Sequence, residues 1–125
     1  MASRLRVLIV DDHPGIVKSV ARLLGGDYDV VGSVAECRGL IEAARHLQPD
    51  VIVLDVNLPD GDGLKACLQV TQGHPDLKVV VFTAADDPDA ERRAFEAGAS
   101  AFVHKLTSAG DLLSAIRSLS GDQAT

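Results

Sequence analysis

Five polar side chains of this chain stand where apolar runs stop. Asp11 and Asp12 follow the run 5–10, Asp55 follows Val51-Ile52-Val53-Leu54, Thr83 follows the run 78–82, and Lys105 comes just after the run 99–103. Carboxylates, a hydroxyl and an ammonium gathered at one edge would equip a carboxylate to accept a phosphoryl group. Such a transfer needs mostly positioning and neutralisation of the equatorial oxygens. In this reading Asp55 is the in-line nucleophile. Lys105 and a cation would hold two of the oxygens, and Thr83 with the backbone amide of Ala84 the third. Three carboxylates so close repel: two unit charges ~4 Å apart cost about 4 kcal/mol at an effective dielectric of roughly 20. One ammonium cannot balance them. A hard divalent cation can, and an all-oxygen cluster with room for water is what Mg²⁺ prefers.

That edge exists only if the apolar runs are strands of one sheet. Residues 51–54 do not alternate in and out, so both faces of this strand must be covered, as in a parallel sheet between two helical layers. The pattern of strand, short loop and amphipathic helix repeats five times, which predicts an α/β fold of the doubly wound, flavodoxin-like kind. Right-handed crossovers favour a five-stranded parallel sheet of order 2-1-3-4-5 with five helices. Ligands of such sheets sit at the carboxyl edge, where Asp11, Asp12 and Asp55 converge from neighbouring strands.

The helices have their own signals. Pro14 suits the first turn of helix one, and Ile16, Val17, Val20, Leu23 and Leu24 recur at helical spacing until Gly25-Gly26. Ser33-x-x-Glu36 reads as a capping box for helix two, with Cys37, Leu40, Ile41, Ala44 and Leu47 as its stripe and Pro49 at its end. Leu64, Cys67, Leu68 and Thr71 line helix three. Asp87 caps and Pro88 starts helix four, with Ala90, Ala94, Phe95 and Ala97 inward and Gly98 as terminator. Ser108-x-x-Asp111 opens helix five, on which Leu112, Leu113, Ile116 and Leu119 share one side. Residues 4–120 are expected to form a single domain, and 121–125 a polar tail.

At 125 residues the chain is long enough for one sizeable core. Its net charge of −6 argues against direct nucleic-acid binding. No apolar run approaches the ~20 residues of a membrane span, and nothing signal-like follows the N-terminus, so a cytoplasmic location and no membrane partner are expected. Cys37 and Cys67 lack metal-like spacing and read as small helix residues in a reducing compartment.

With Val10-Asp11-Asp12-His13-Pro14, Leu54-Asp55-Val56-Asn57-Leu58-Pro59-Asp60-Gly61, Thr83-Ala84 and residues 97–105 in this order on five strand ends, the chain resembles the receiver domain of two-component response regulators. The resemblance runs from Leu5 to Leu119. It implies phosphorylation at Asp55 by a sensor histidine kinase or a phosphotransfer protein. It also implies Mg²⁺ held by Asp12, Asp55 and the carbonyl of Asn57, with Asp11 acting through water. Thr83 and Phe102 take the paired switch positions. The Asp-Asp-His-Pro and Ala-Gly-Ala segments are similar to receivers that precede a LuxR-type helix-turn-helix. That implies a C-terminal DNA-binding domain outside this chain and homodimerisation on phosphorylation. Two residues depart from the common pattern: Leu106 replaces a proline, and Phe102 replaces the commoner tyrosine.

Taken singly, these residues have blander readings. Asp12 could be a helix cap, Asp60 and Asp62 turn and cap acids, Thr83 a strand residue and Lys105 a solvated lysine. Their joint placement favours a site. His13 and His104 flank it, yet an oxygen-rich Mg²⁺ site has no need of imidazole. The chain is thus expected to be a switch rather than an enzyme. An aspartate-nucleophile phosphatase would put an acid/base carboxylate at position 57, where an amide stands. A flavin carrier would want a phosphate-cradling loop where Asp11 and Asp12 stand. A docking module of the same fold that is never phosphorylated is the third alternative.

Overall fold

The computed structural model describes residues 4–84, 87–106 and 109–120. Its main sheet has five parallel strands: β1 (Arg6–Val10), β2 (Asp29–Val34), β3 (Val51–Leu54), β6 (Lys78–Thr83) and β7 (Ala101–His104), in the order β2-β1-β3-β6-β7. Counting only these, the order is the expected 2-1-3-4-5. Five helices connect and follow them: α1 (Pro14–Leu24), α2 (Cys37–Leu47), α3 (Gly63–Gly73), α4 (Ala90–Glu96) and α5 (Ala109–Ser120). A two-stranded antiparallel hairpin, β4 (Asn57–Leu58) with β5 (Gly61–Asp62), stands in the loop after β3 where the sequence showed only a Pro/Gly/Asp turn.

The unbroken apolar runs are explained by two cores, one on each face of the sheet. Val7 and Ile9 of β1, and Val51 and Val53 of β3, pack with Val20, Leu24, Leu112 and Ile116 of α1 and α5. Their neighbours Leu8, Val10, Ile52 and Leu54 pack on the other face with Leu40, Cys67, Val70 and Ala94 of α2, α3 and α4. Each strand residue points opposite to the next, so a strand sandwiched by helices needs no polar position. No helix among the described residues is long and apolar enough to cross a membrane.

Several local expectations need correction. Ser33 lies within β2, and Glu36, the residue before α2, makes no side-chain cap bond. The carboxylate of Asp60 caps α2 instead, accepting from Cys37 N at 2.7 Å and Arg38 N at 3.2 Å. Helix α4 begins at Ala90, not at Pro88, because Asp87 accepts from Asp89 N in a turn that precedes the helix. Phe95 is 45% and Leu68 39% exposed, so neither faces inward; besides Cys67, α3 buries Gly63, Ala66 and Val70. Gly98 ends α4 as expected, at φ +99. Asp62 caps α3 by accepting from Leu64 N. Both cysteines are free thiols. Ser108 as a cap for helix five, Ala85 at the end of strand four and the tail 121–125 lie outside the described residues.

Candidate functional site

Register brings the acids together. Val10 pairs with Leu54 and Asp55 N donates to Val10 O at 2.8 Å, so Asp11 and Asp55 leave the sheet side by side. Strand β6 runs past β3 to Thr83, which pairs with His104 of β7, and Lys105 N donates back to Thr83 O. The chain therefore delivers Asp11, Asp55, Thr83 and Lys105 to one edge from four adjacent strands. Asp11, Asp55 and Thr83 are buried.

Both oxygens of Asp55 are held. Oδ1 accepts from Asn57 N at 3.0 Å and from Thr83 Oγ1 at 3.2 Å, and Oδ2 faces Lys105 Nζ at 3.0 Å. The same ammonium lies 2.7 Å from Asp11 Oδ2. Burial opposes the Lys105 charge, but its bonds to Asp11 and Asp55 outweigh that and hold its pKa above the ordinary lysine value. Asp11 Oδ1 accepts from His13 N at 2.9 Å, and the His13 ring stands over the cluster. The bond to Asp11 first, and then the Asp12 charge, raise the imidazole pKa. Asp12 does not cap α1: the residue at that position is His13.

The sequence left one contributor unassigned, Phe82, and read a second, Asp60, only as a turn and cap acid. Phe82, adjacent to Thr83 on β6, places its ring centroid 6.0 Å from Lys105 Nζ, within reach of a cation–π attraction that steadies the ammonium. Asp60 ties the loop behind Asp55 to α2. Their position beside the predicted residues was the signal available; their direction was not. Asn57 is exposed, Ala84 is exposed just beyond β6, and Phe102 is half-buried. The Phe102 ring lines a cavity of about 240 Å³ with Val56, Asn57, Leu64, Ala90 and Arg93, between the acid cluster and α4. No peptide bond among the described residues is cis.

The family model for the response regulator receiver domain matches residues 7–117. This chain is a response regulator receiver domain. It is 40% identical over 118 residues to the DNA-binding transcriptional activator DevR/DosR of Mycobacterium tuberculosis, covering 90% of the chain but 53% of that protein. The receiver thus spans about half the length of the curated relatives it matches. Among solved structures, a LuxR-family two-component response regulator from Aurantimonas sp. SI85-9A1 superposes with TM-score 0.88 at 32% identity, covering 95% of this chain and 87% of that one. The BeF₃-activated DrrB receiver domain superposes with TM-score 0.84 at 26% identity, covering 94% and 97%.

Receiver domains bind Mg²⁺ in an acidic pocket, and the residues here fit one. Asp11, Asp12, His13 and Asp55 each bring a ligand atom within 4.8 Å of the others. Asp12 Oδ1 is buried without a hydrogen-bond partner. The His13 ring nitrogen lies 3.3 Å from it, but that nitrogen is already engaged with Asp11 at 2.8 Å. A buried carboxylate oxygen left unsatisfied is costly unless a cation meets it.

Proposed function

We propose that this receiver takes a phosphoryl group from a phosphohistidine donor onto Asp55, with Mg²⁺ as cofactor. The observation that carries the reading is the engagement of both Asp55 oxygens by groups suited to the transfer, beside an acid oxygen that no protein donor meets. Asp12, Asp55 and the carbonyl of Asn57 would hold the cation directly, with Asp11 acting through water; the bound ion supplies charge neutralisation for the phosphoryl oxygens. An Asp55 oxygen attacks phosphorus in line, the O–P bond forming as the donor's P–N bond breaks and imidazole leaves. Lys105, already between Asp11 and Asp55, neutralises one transferred oxygen. The amide of Ala84 and the hydroxyl of Thr83 receive another. For this the hydroxyl must release Asp55 Oδ1, and Phe102, lining the adjacent cavity, can follow it inward. The molecule is then a switch that modifies itself rather than an enzyme, located in the cytoplasm. The BeF₃-activated neighbour supports this reading, since a fluoroberyllate has the shape and charge of a phosphoryl group.

The partners follow the same reading. A sensor histidine kinase or phosphotransfer protein supplies the phosphoryl group, and the modified form makes a homodimer. The DNA-binding relative supports a transcriptional output through a domain outside this chain, with no nucleic acid touching the receiver itself. Residues 4–120 constitute one domain in this reading.

Incubation with acetyl phosphate and Mg²⁺, read by intact mass, tests the proposal. The protein gains one phosphoryl group, Asp55→Asn gains none, and chelation of the metal suppresses the gain. An unmodified parent protein under these conditions would leave only the docking module.

A further inference from the structure

Asp60 sits in the turn between β4 and β5, yet its side chain is only 19% exposed. Both of its oxygens are engaged by α2: Oδ1 accepts from Cys37 N at 2.7 Å and Oδ2 from Arg38 N at 3.2 Å. These bonds, that of Cys37 N foremost, hold the carboxyl below the ordinary aspartate range. At the other end of the same hairpin Asn57 pairs with Asp62, and Asn57 N donates to Asp55 Oδ1 at 3.0 Å. Each strand of the hairpin is two residues long, and so short a ladder is not stable by itself. Its placement is set by what fastens it: the buried side chain of Leu58, the Asp62 cap on α3, and the Asp60 cap on α2.

We propose that Asp60 is a positioning residue for the cation: by fastening the turn to α2 it keeps the Asn57 carbonyl in place as a metal ligand. The inference rests on the reading that this carbonyl and Asp55 share Mg²⁺. A shift of the turn is passed on to Asn57 through the Asn57–Asp62 and Leu58–Gly61 pairs. Pro59, standing between, has a fixed φ and cannot absorb it. The nucleophile is held separately, because Asp55 keeps Thr83 on Oδ1 and Lys105 on Oδ2 whatever the hairpin does. Loss of the tether therefore falls on cation affinity and not on the transfer step.

Initial phosphorylation rates with acetyl phosphate, read by intact mass across a Mg²⁺ series, separate the two effects. Asp60→Ala raises the Mg²⁺ concentration for half-maximal rate by about 10-fold, the cost of losing an outer-shell partner, while the rate at saturating Mg²⁺ is retained. Asp60→Asn keeps one acceptor oxygen for Cys37 N and restores most of the affinity. Leu47→Ala, which loosens α2 at its opposite end, leaves the half-maximal concentration unchanged. An unchanged concentration in Asp60→Ala, an equal rise in Leu47→Ala, or a loss confined to the saturated rate overturns the tether while leaving the cation site standing. A parent protein that is not phosphorylated, or whose phosphorylation ignores Mg²⁺, overturns the underlying reading as well.

Discussion

Lys105 and Cys67 show two ways of burying a titratable side chain. The ammonium keeps its charge because two carboxylates meet it. The thiol has no such partner, and burial pushes its pKa from 9.0 up to about 11. A raised value means that the unfolded thiol ionises first. The stability linked to Cys67 is therefore complete below pH 9.0 and is lost as the pH climbs toward about 11. Urea midpoints measured across that window should fall more steeply for the parent protein than for Cys67→Ala. A thiol reagent at neutral pH should modify half-buried Cys37 in the folded state and reach Cys67 only on unfolding. The chemistry of the site residues was legible from side-chain type and from their place after apolar runs. That Asp12 Oδ1 is buried without a partner and that His13 approaches the cluster were not, because both depend on side-chain direction beyond the last strand residue.

Among the secondary elements, the sequence is clearest where geometry is local. Gly98 is the one described glycine at positive φ, and a Cβ there would also strike the Thr71 side chain of α3. Gly98→Ala should cost about 1–2 kcal/mol for the left-handed backbone alone, more with that contact, read as a lowered denaturation midpoint. Gly63 is required for a different reason: a Cβ would come within 2.5 Å of Val56 Cα, so the start of α3 can close on the loop behind Asp55 only without a side chain. The beginnings of α2 and α4 were misread because turn and cap residues compete. Asp87 satisfies a turn before the helix, and Asp60 reaches α2 from 23 residues away. Removing that remote cap in Asp60→Ala should expose the amides of Cys37 and Arg38 to faster hydrogen exchange while leaving those of α5 unchanged. Equal acceleration in both helices would mean global destabilisation instead.

For the molecule as a whole, the acid cluster opposes folding, and a bound cation would relieve it. Three carboxylates converge here while the one ammonium meets only Asp11 and Asp55, so the ion-free protein retains repulsion at the edge of its sheet. Asp12→Asn removes one charge and should raise the melting temperature of the metal-free protein by about 2–5 °C. Mg²⁺ at a hundredfold excess over its dissociation constant should stabilise the parent by about 2.7 kcal/mol, and this gain should largely disappear in Asp12→Asn. A variant that is neither more stable alone nor less responsive to Mg²⁺ would remove Asp12 from the cation site.

Sequence alone determined the α/β class and the residues that end the strands, because hydrophobic period and strand–helix alternation are local signals that chain topology converts into an edge; the strand order came in part from the family resemblance. Tertiary structure alone decided which oxygen each donor takes, which remote acid caps α2, and that a histidine joins the carboxylates. Those outcomes turn on ångström-scale register between strands distant in the chain, and no pattern along the sequence encodes a distance.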